Sequence, residues 1–223
     1  MDSFQTPPDD RILTQDGLAP KGAGRILILA CGALAREIIA VLRANNLTHI
    51  DLQCLPAIYH NHPEKIVPAI EKTVAEVSEN YETIFVAYAD CGTGGQLQAA
   101  AERLGVHMMA GPHCYAFFED TEEFVKRSED EFTSFYLTDF LVRQFDAFVW
   151  RPLGLDRHPE LRDMYFGHYE KLIYQAQIDD PKLTEAAKEQ ADRLGLEFER
   201  RFTGYGDLGK RIIELGDISD ANP

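Results

Sequence analysis

The 223-residue sequence predicts an α/β fold: a doubly wound, mainly parallel, four- to five-stranded Rossmann-like sheet with an additional helical segment. Three observations lead there. Short apolar runs alternate with stretches of helical spacing four times between residues 25 and 111. The first run, RILILACG, is apolar throughout rather than at every second position, as a parallel strand covered on both faces requires. Three of the exits from these runs carry a cysteine next to a glycine-containing turn.

Residues 1–23 are rich in Pro, Asp, Gln and Gly without a periodic apolar face, and are expected to be an extended or disordered lead-in. RILILACG opens the domain as its first strand, and a helix follows from about Leu34 to Asn45 with Ile38, Ile39 and Leu42 on one face. IDLQCLPA (50–57) is the second strand, and 63–80 is a helix bearing Ile66, Ile70 and Val74 at helical spacing. TIFVAYAD (83–90) is the third strand, followed by a helix over 95–105 that Gly105 ends as a C-cap. VHMMAG (106–111) is the fourth.

After Cys114 the texture changes. Residues 119–131 are acidic, and 132–149, 158–176 and 182–194 read as helices, so that about 119–195 forms a helical insertion or cap. LEFERRF (196–202) alternates and is expected to return as a fifth strand. GYGDLG (204–209) then opens a last helix to about Leu215, leaving 217–223 as a tail. The whole of 24–216 thus reads as one α/β domain. The surplus aromatic faces between Phe132 and Tyr174, Tyr165 and His168 included, are expected to roof the strand ends.

The net charge of −15 sets the surface against phosphate backbones and anionic leaflets, so neither nucleic acid nor membrane is an expected partner. No run approaches the roughly 20 apolar residues of a membrane span. MDSFQTPPDD lacks the basic and apolar regions of a signal peptide, and the four cysteines are expected to stay reduced; a cytoplasmic location follows as an expectation.

Open α/β sheets bind ligands at the carboxyl ends of their strands. Cys31, Cys91 and Cys114 each leave a strand there, and His60 and His62 follow the second strand. Thiols and imidazole are the donor set of zinc, or of iron. The expected metal ligands are Cys31, His60, Cys91 and Cys114, with His62 as the alternative histidine. His113 is set aside because it diverges from its neighbour Cys114. The rival reading is packing, since free cysteine is often a small buried hydrophobe. Cys54, inside a strand, is assigned to the core.

In CGTGGQ (91–96), Gly92, Gly94 and Gly95 expose backbone N–H groups at a helix start, an expected anion or cofactor seat that would also favour the Cys91 thiolate. Gly204 and Gly206 are expected to add a further rim loop. Asp90 is a candidate base beside the nucleophile Cys91, against a plain turn role. Tyr59, Tyr88, Tyr115 and Tyr205 are pocket walls. Dinucleotide, Walker and serine-hydrolase motifs are all missing.

ACG, LPAIYHNHPEKI, YADCGTGG, GPHCYAFF and FYLTDFL together resemble the domain of unknown function 1638 family, over most of residues 25–215. The resemblance implies marked positions at Cys31, His60, Cys91 and Cys114, and a setting beside corrinoid-dependent methyltransferases. Two classes of function are expected. One is a zinc-dependent enzyme transferring a methyl or other one-carbon group between a thiol and a corrinoid or folate partner, or acting on another small-molecule substrate. The other is an accessory protein that carries a metal or cofactor. A metal-free enzyme with Cys91 as nucleophile is the third option.

Overall fold

A computed structural model describes residues 4–128 and 130–220. The chain forms two compact units, residues 1–117 with 207–223, and residues 118–206.

The first unit starts earlier than its composition suggests. Helix α1 (Asp10–Gln15) is capped by the Asp9 carboxylate, which accepts from Arg11 N at 2.8 Å. Leu13 is fully buried. Leu18 pairs antiparallel with Cys54 through hydrogen bonds of 2.9 and 2.8 Å, and Arg36 reaches Asp10 at 2.7 Å. The expectation of an extended or disordered lead-in is therefore corrected for the described part of this segment. A six-residue helix is too short to display a period, and its cap, not its composition, marks it.

Strand β1 (Ile26–Cys31) runs into a 3-10 turn and helix α2 (Ala35–Ala44); β2 (Ile50–Leu55) leads through further 3-10 turns to α3 (Ile66–Val77). Strand β3 (Thr83–Ala87), helix α4 (Gln96–Leu104) and the two-residue β4 (His107–Met108) complete the sheet, whose order is β2-β1-β3-β4 and whose pairs are all parallel. Gly105 ends α4 in the left-handed region (φ 68°), as its position predicts. All six residues of β1 are buried, each large apolar side chain stabilising the fold by roughly 1.5–3 kcal/mol. That is why an unbroken apolar run could be recognised as the central strand.

The second unit corrects the expected helical cap. It holds α5 (Thr121–Ser128), β5 (Ser134–Thr138), α6 (Asp139–Arg143), a π-helical turn at Asp146–Trp150, α7 (Arg162–Phe166), β6 (Lys171–Ala176), α8 (Pro181–Leu194) and β7 (Glu197–Phe202). Its own three-stranded parallel sheet has the order β5-β6-β7. LEFERRF is thus a strand, but in this second sheet and not the fifth of the first. Leu137, Leu172, Ile173 and Tyr174 are completely buried, so much of the apolar surface that argued for a roof is satisfied within the unit's own core.

Helix α9 (Gly206–Asp220) returns the chain to the first unit, where Leu208, Ile212 and Leu215 are buried and the Arg211 guanidinium stands 5.5 Å from the Phe85 ring centroid. It runs past Leu215 into the stretch expected to be tail; residues 221–223 of that tail lie outside the described residues.

Candidate active site

The strand order puts the ends of β1 and β3 side by side, with β2 reached from β1 in one direction and β4 from β3 in the other. This is the switch point of a doubly wound sheet, where a crevice opens between loops that leave in opposite senses. Cys31 is the last residue of β1. The β1–β3 register, Ala30 opposite Ala87, sets Tyr88 across from Cys31 as the strands end.

Beyond β3 the ladder continues irregularly. Met109 N donates to Val86 O at 3.1 Å, Asp90 N to Gly111 O at 3.1 Å, and Cys91 N to Pro112 O at 3.2 Å. These bonds bring the loop after β3 against the loop after β4. They carry Cys91 to Cys114, with sulfurs 3.1 Å apart. Cys91 itself has φ 47°, a left-handed conformation rare outside glycine.

The two sulfurs share a hydrogen bond and titrate as a pair. Donation from the Cys114 thiol, the largest influence, holds Cys91 below its ordinary value against the effect of burial. The same bond, followed by burial, pushes Cys114 well up. When the pair gives up its first proton, the bond favours a Cys91 sulfur that accepts from the Cys114 thiol. Burial raises Cys31 to about 12, partly offset by the Ala33 backbone, so this third sulfur stays protonated at neutral pH.

Tyr88 is 2% exposed, and its hydroxyl has no hydrogen-bond partner among the described residues. Its pKa is driven well up, first by burial and then by the neighbouring Cys31, Cys114, Cys91 and Cys54. Its hydroxyl is close enough to Cys31 to lower that thiol slightly, yet falls short of hydrogen-bond geometry. A buried phenol facing thiols with its donor unused is an orphan that calls for a ligand.

The other predicted residues sort themselves by geometry. The Asp90 carboxylate accepts from Gly95 N at 2.6 Å, Thr93 Oγ1 at 2.9 Å and Gly94 N at 3.2 Å. Those bonds, the Gly95 one first, hold its pKa down. Asp90 therefore fills the expected anion seat itself, and Gly94 and Gly95 spend their N–H groups on it. Gly92 packs its Cα against Pro63, where an added Cβ would come within 3.3 Å of the ring. Gly204 and Gly206 belong to the second unit: Gly204 N donates to Ala176 O at 3.3 Å, and a Cβ on Gly206 would fall 2.3 Å from the Phe118 carbonyl carbon. Both serve the turn after β7.

His60 sits in the 3-10 turn after β2. Although the residue is exposed overall, its surroundings lower its pKa, chiefly by desolvation and then by the charge of His113. His113, set aside at the level of sequence, is thus the histidine that shares His60's field; it stacks on Tyr115 with centroids 4.9 Å apart. His62 faces solvent and pairs with Glu64 at 3.5 Å. Cys54 is buried in β2, as assigned. A cleft of about 310 Å³ opens beside the Cys91 loop, between Pro63, Glu64, Val67 and Pro68 and the residues Gly92, Thr93 and Gln96.

The donor set suits a soft metal, but among the described residues no group of three or more His, Cys, Asp or Glu side chains is arranged to hold one. Cys91 and Cys114 supply two donors in contact, and Cys31 lies within electrostatic reach of both.

Fold and site together define a Rossmann-like α/β protein with a thiol pair at the switch point of its first sheet. Residues 54–212 match the family described as a protein of unknown function (DUF1638), and the chain belongs to that family. No curated protein and no solved structure matched it. Among the described residues no helix is long and apolar enough to cross a membrane.

Proposed function

We propose that the protein is a thiol-dependent transferase in which Cys91 is the nucleophile. The observation that carries this reading is the 3.1 Å contact between Cys91 and Cys114, which stabilises one thiolate at a strand-end crevice. The Cys91 thiolate attacks an electrophilic carbon of a small substrate in the adjoining cleft. A carbon–sulfur bond forms, and the leaving group departs with the bonding pair. Cys114 holds the proton that steadies the thiolate, and Tyr88 offers its O–H to a charge that builds beside the sulfurs. A methyl or other one-carbon donor of the corrinoid or folate type is the first substrate to try. The residues that would exclude competing water are the buried aromatic and aliphatic neighbours, Tyr88 and Ala89 among them.

A second reading keeps zinc, favoured by the electrostatic neighbourhood of Cys31, Cys91 and Cys114 around one orphan hydroxyl. Cys91 and Cys114 would hold the ion, which would supply a thiolate activated by the metal. The discriminating experiment measures alkylation of the native protein by iodoacetamide and methyl iodide across pH 5–9, alongside elemental analysis of protein prepared without chelators. The thiolate reading expects Cys91 to react first, with half-maximal rate below pH 8.5, the ordinary thiol value. Uniform reactivity of all cysteines only in alkali would overturn it. Stoichiometric zinc that suppresses the reaction would favour the second reading.

A further inference from the structure

We infer that Cys91 and Cys114 are a redox-modification site, closed to an intramolecular disulfide by a small hydroperoxide. Their sulfurs already lie 3.1 Å apart, about 1 Å beyond a covalent S–S bond. Neither Cys31 nor Cys54 comes into sulfur–sulfur contact with another thiol among the described residues. Cys91 sits in a turn and Cys114 opens a 3-10 turn, so neither sulfur is fixed inside a strand. The two loops are registered by the Asp90 N to Gly111 O and Cys91 N to Pro112 O bonds, so the sulfurs meet without any search. Cys114 is half-buried, while Cys91 is only 8% exposed, which suits an oxidant the size of peroxide and disfavours a bulky disulfide.

The chemistry balances. The Cys91 thiolate attacks one oxygen of the hydroperoxide, forming Cys91–S–OH and releasing hydroxide or alkoxide, which takes up a proton. The Cys114 sulfur then attacks Cys91 Sγ, the S–S bond forms, and water leaves with the proton of Cys114. Two thiols are oxidised and one peroxide bond is reduced. In the reading above, the disulfide removes the nucleophile and silences the enzyme; the site itself does not depend on that reading.

The test treats the full chain, as purified and in a second arm with chelator, with a slight excess of hydrogen peroxide. The protein is then unfolded, capped with N-ethylmaleimide and digested without reduction. Capping should fall from four thiols to two, Cys31 and Cys54, with one cross-linked peptide joining Cys91 to Cys114. A Cys31→Ser variant should cross-link as before. In Cys114→Ser, dimedone should trap a sulfenic acid at Cys91 that goes on to sulfinic acid with more peroxide. Four capped thiols in both arms, a cross-link through Cys31, or sulfinic acid at Cys91 of the wild type without any cross-link would overturn the assignment. Cross-linking together with a fully active Cys91→Ser enzyme would refute the transferase reading and leave the redox site standing.

Discussion

The two units each bury a tyrosine near the carboxyl end of a parallel strand, and they treat it in opposite ways. In the second unit, Tyr174 of β6 donates to Asp139 Oδ1 at 2.7 Å. The same carboxylate also accepts from Gln177 N at 3.1 Å and Ile178 N at 3.2 Å, while Asp139 N donates to Gln177 Oε1 at 2.7 Å. In the first unit, Tyr88 follows β3 with its hydroxyl unpartnered, facing thiols instead of a carboxylate. A strand-end tyrosine can thus be saturated by a carboxylate or left without a protein partner, although Gln175 Oε1 beside Tyr174 is also unpartnered among the described residues. Buried donors are costly to leave unmade, so the saturated hydroxyl belongs to stability and the unsaturated one to a ligand.

The comparison breaks first at Asp139. Asp139→Ala would strip three donors of their acceptor, and a loss of about 3–5 kcal/mol is expected, each orphaned group costing about 1–3 kcal/mol. Trp150 is the chain's single tryptophan and lies in the second unit, so its fluorescence during urea unfolding reads this directly. An unchanged midpoint would mean that the saturated rim contributes nothing.

A pH effect of similar size should come from Glu131. Bonds from Arg201, the largest influence, hold its carboxyl at about 2, against an ordinary 4.5. The native state therefore binds fewer protons than the unfolded chain between those values. The stabilisation is present above 4.5 and disappears as pH falls towards 2. Acid unfolding followed at Trp150 should be less steep through this window in Glu131→Gln. Parallel curves would remove Glu131 from the account.

The tyrosines themselves give the smaller and sharper contrast. Tyr174→Phe should cost about 1.5–3 kcal/mol, as expected for a hydrogen bond to a charged group. Tyr88→Phe should leave stability within about 1 kcal/mol of wild type by circular dichroism, since no protein bond is lost. It should nonetheless weaken binding or turnover of whatever occupies the crevice. Equal destabilisation by both substitutions would dissolve the distinction between the rims.

Much of the first unit could be read from the sequence. RILILAC and TIFVA are unbroken apolar runs too short for helices and bounded by turn residues, and both are buried parallel strands. The stretches SFYLT and KLIYQA are of the same length, yet they sit among aromatic residues that also fit a helical period. Periodicity alone cannot separate a buried strand from a helix segment over five or six residues, and the second sheet was missed for that reason. The cysteines at the strand exits were visible one by one. Which of them meet was not, because the Cys91–Cys114 contact depends on backbone bonds between residues 21 positions apart, Asp90 N to Gly111 O and Cys91 N to Pro112 O.

By itself, the sequence determined the α/β class, the order of the first four strands along the chain and the placing of Cys31 at a strand end, with Cys91 and Cys114 in the segments that follow β3 and β4. These follow from local apolar patterning and turn chemistry, which neighbouring residues settle among themselves. Tertiary structure alone decided that LEFERRF joins a second sheet, that Asp90 occupies the glycine-rich seat, that two sulfurs share a proton and that the Tyr88 hydroxyl is left over. Each of those depends on which distant backbone and side-chain groups compete for the same donor or acceptor, and that competition exists only once the chain has folded.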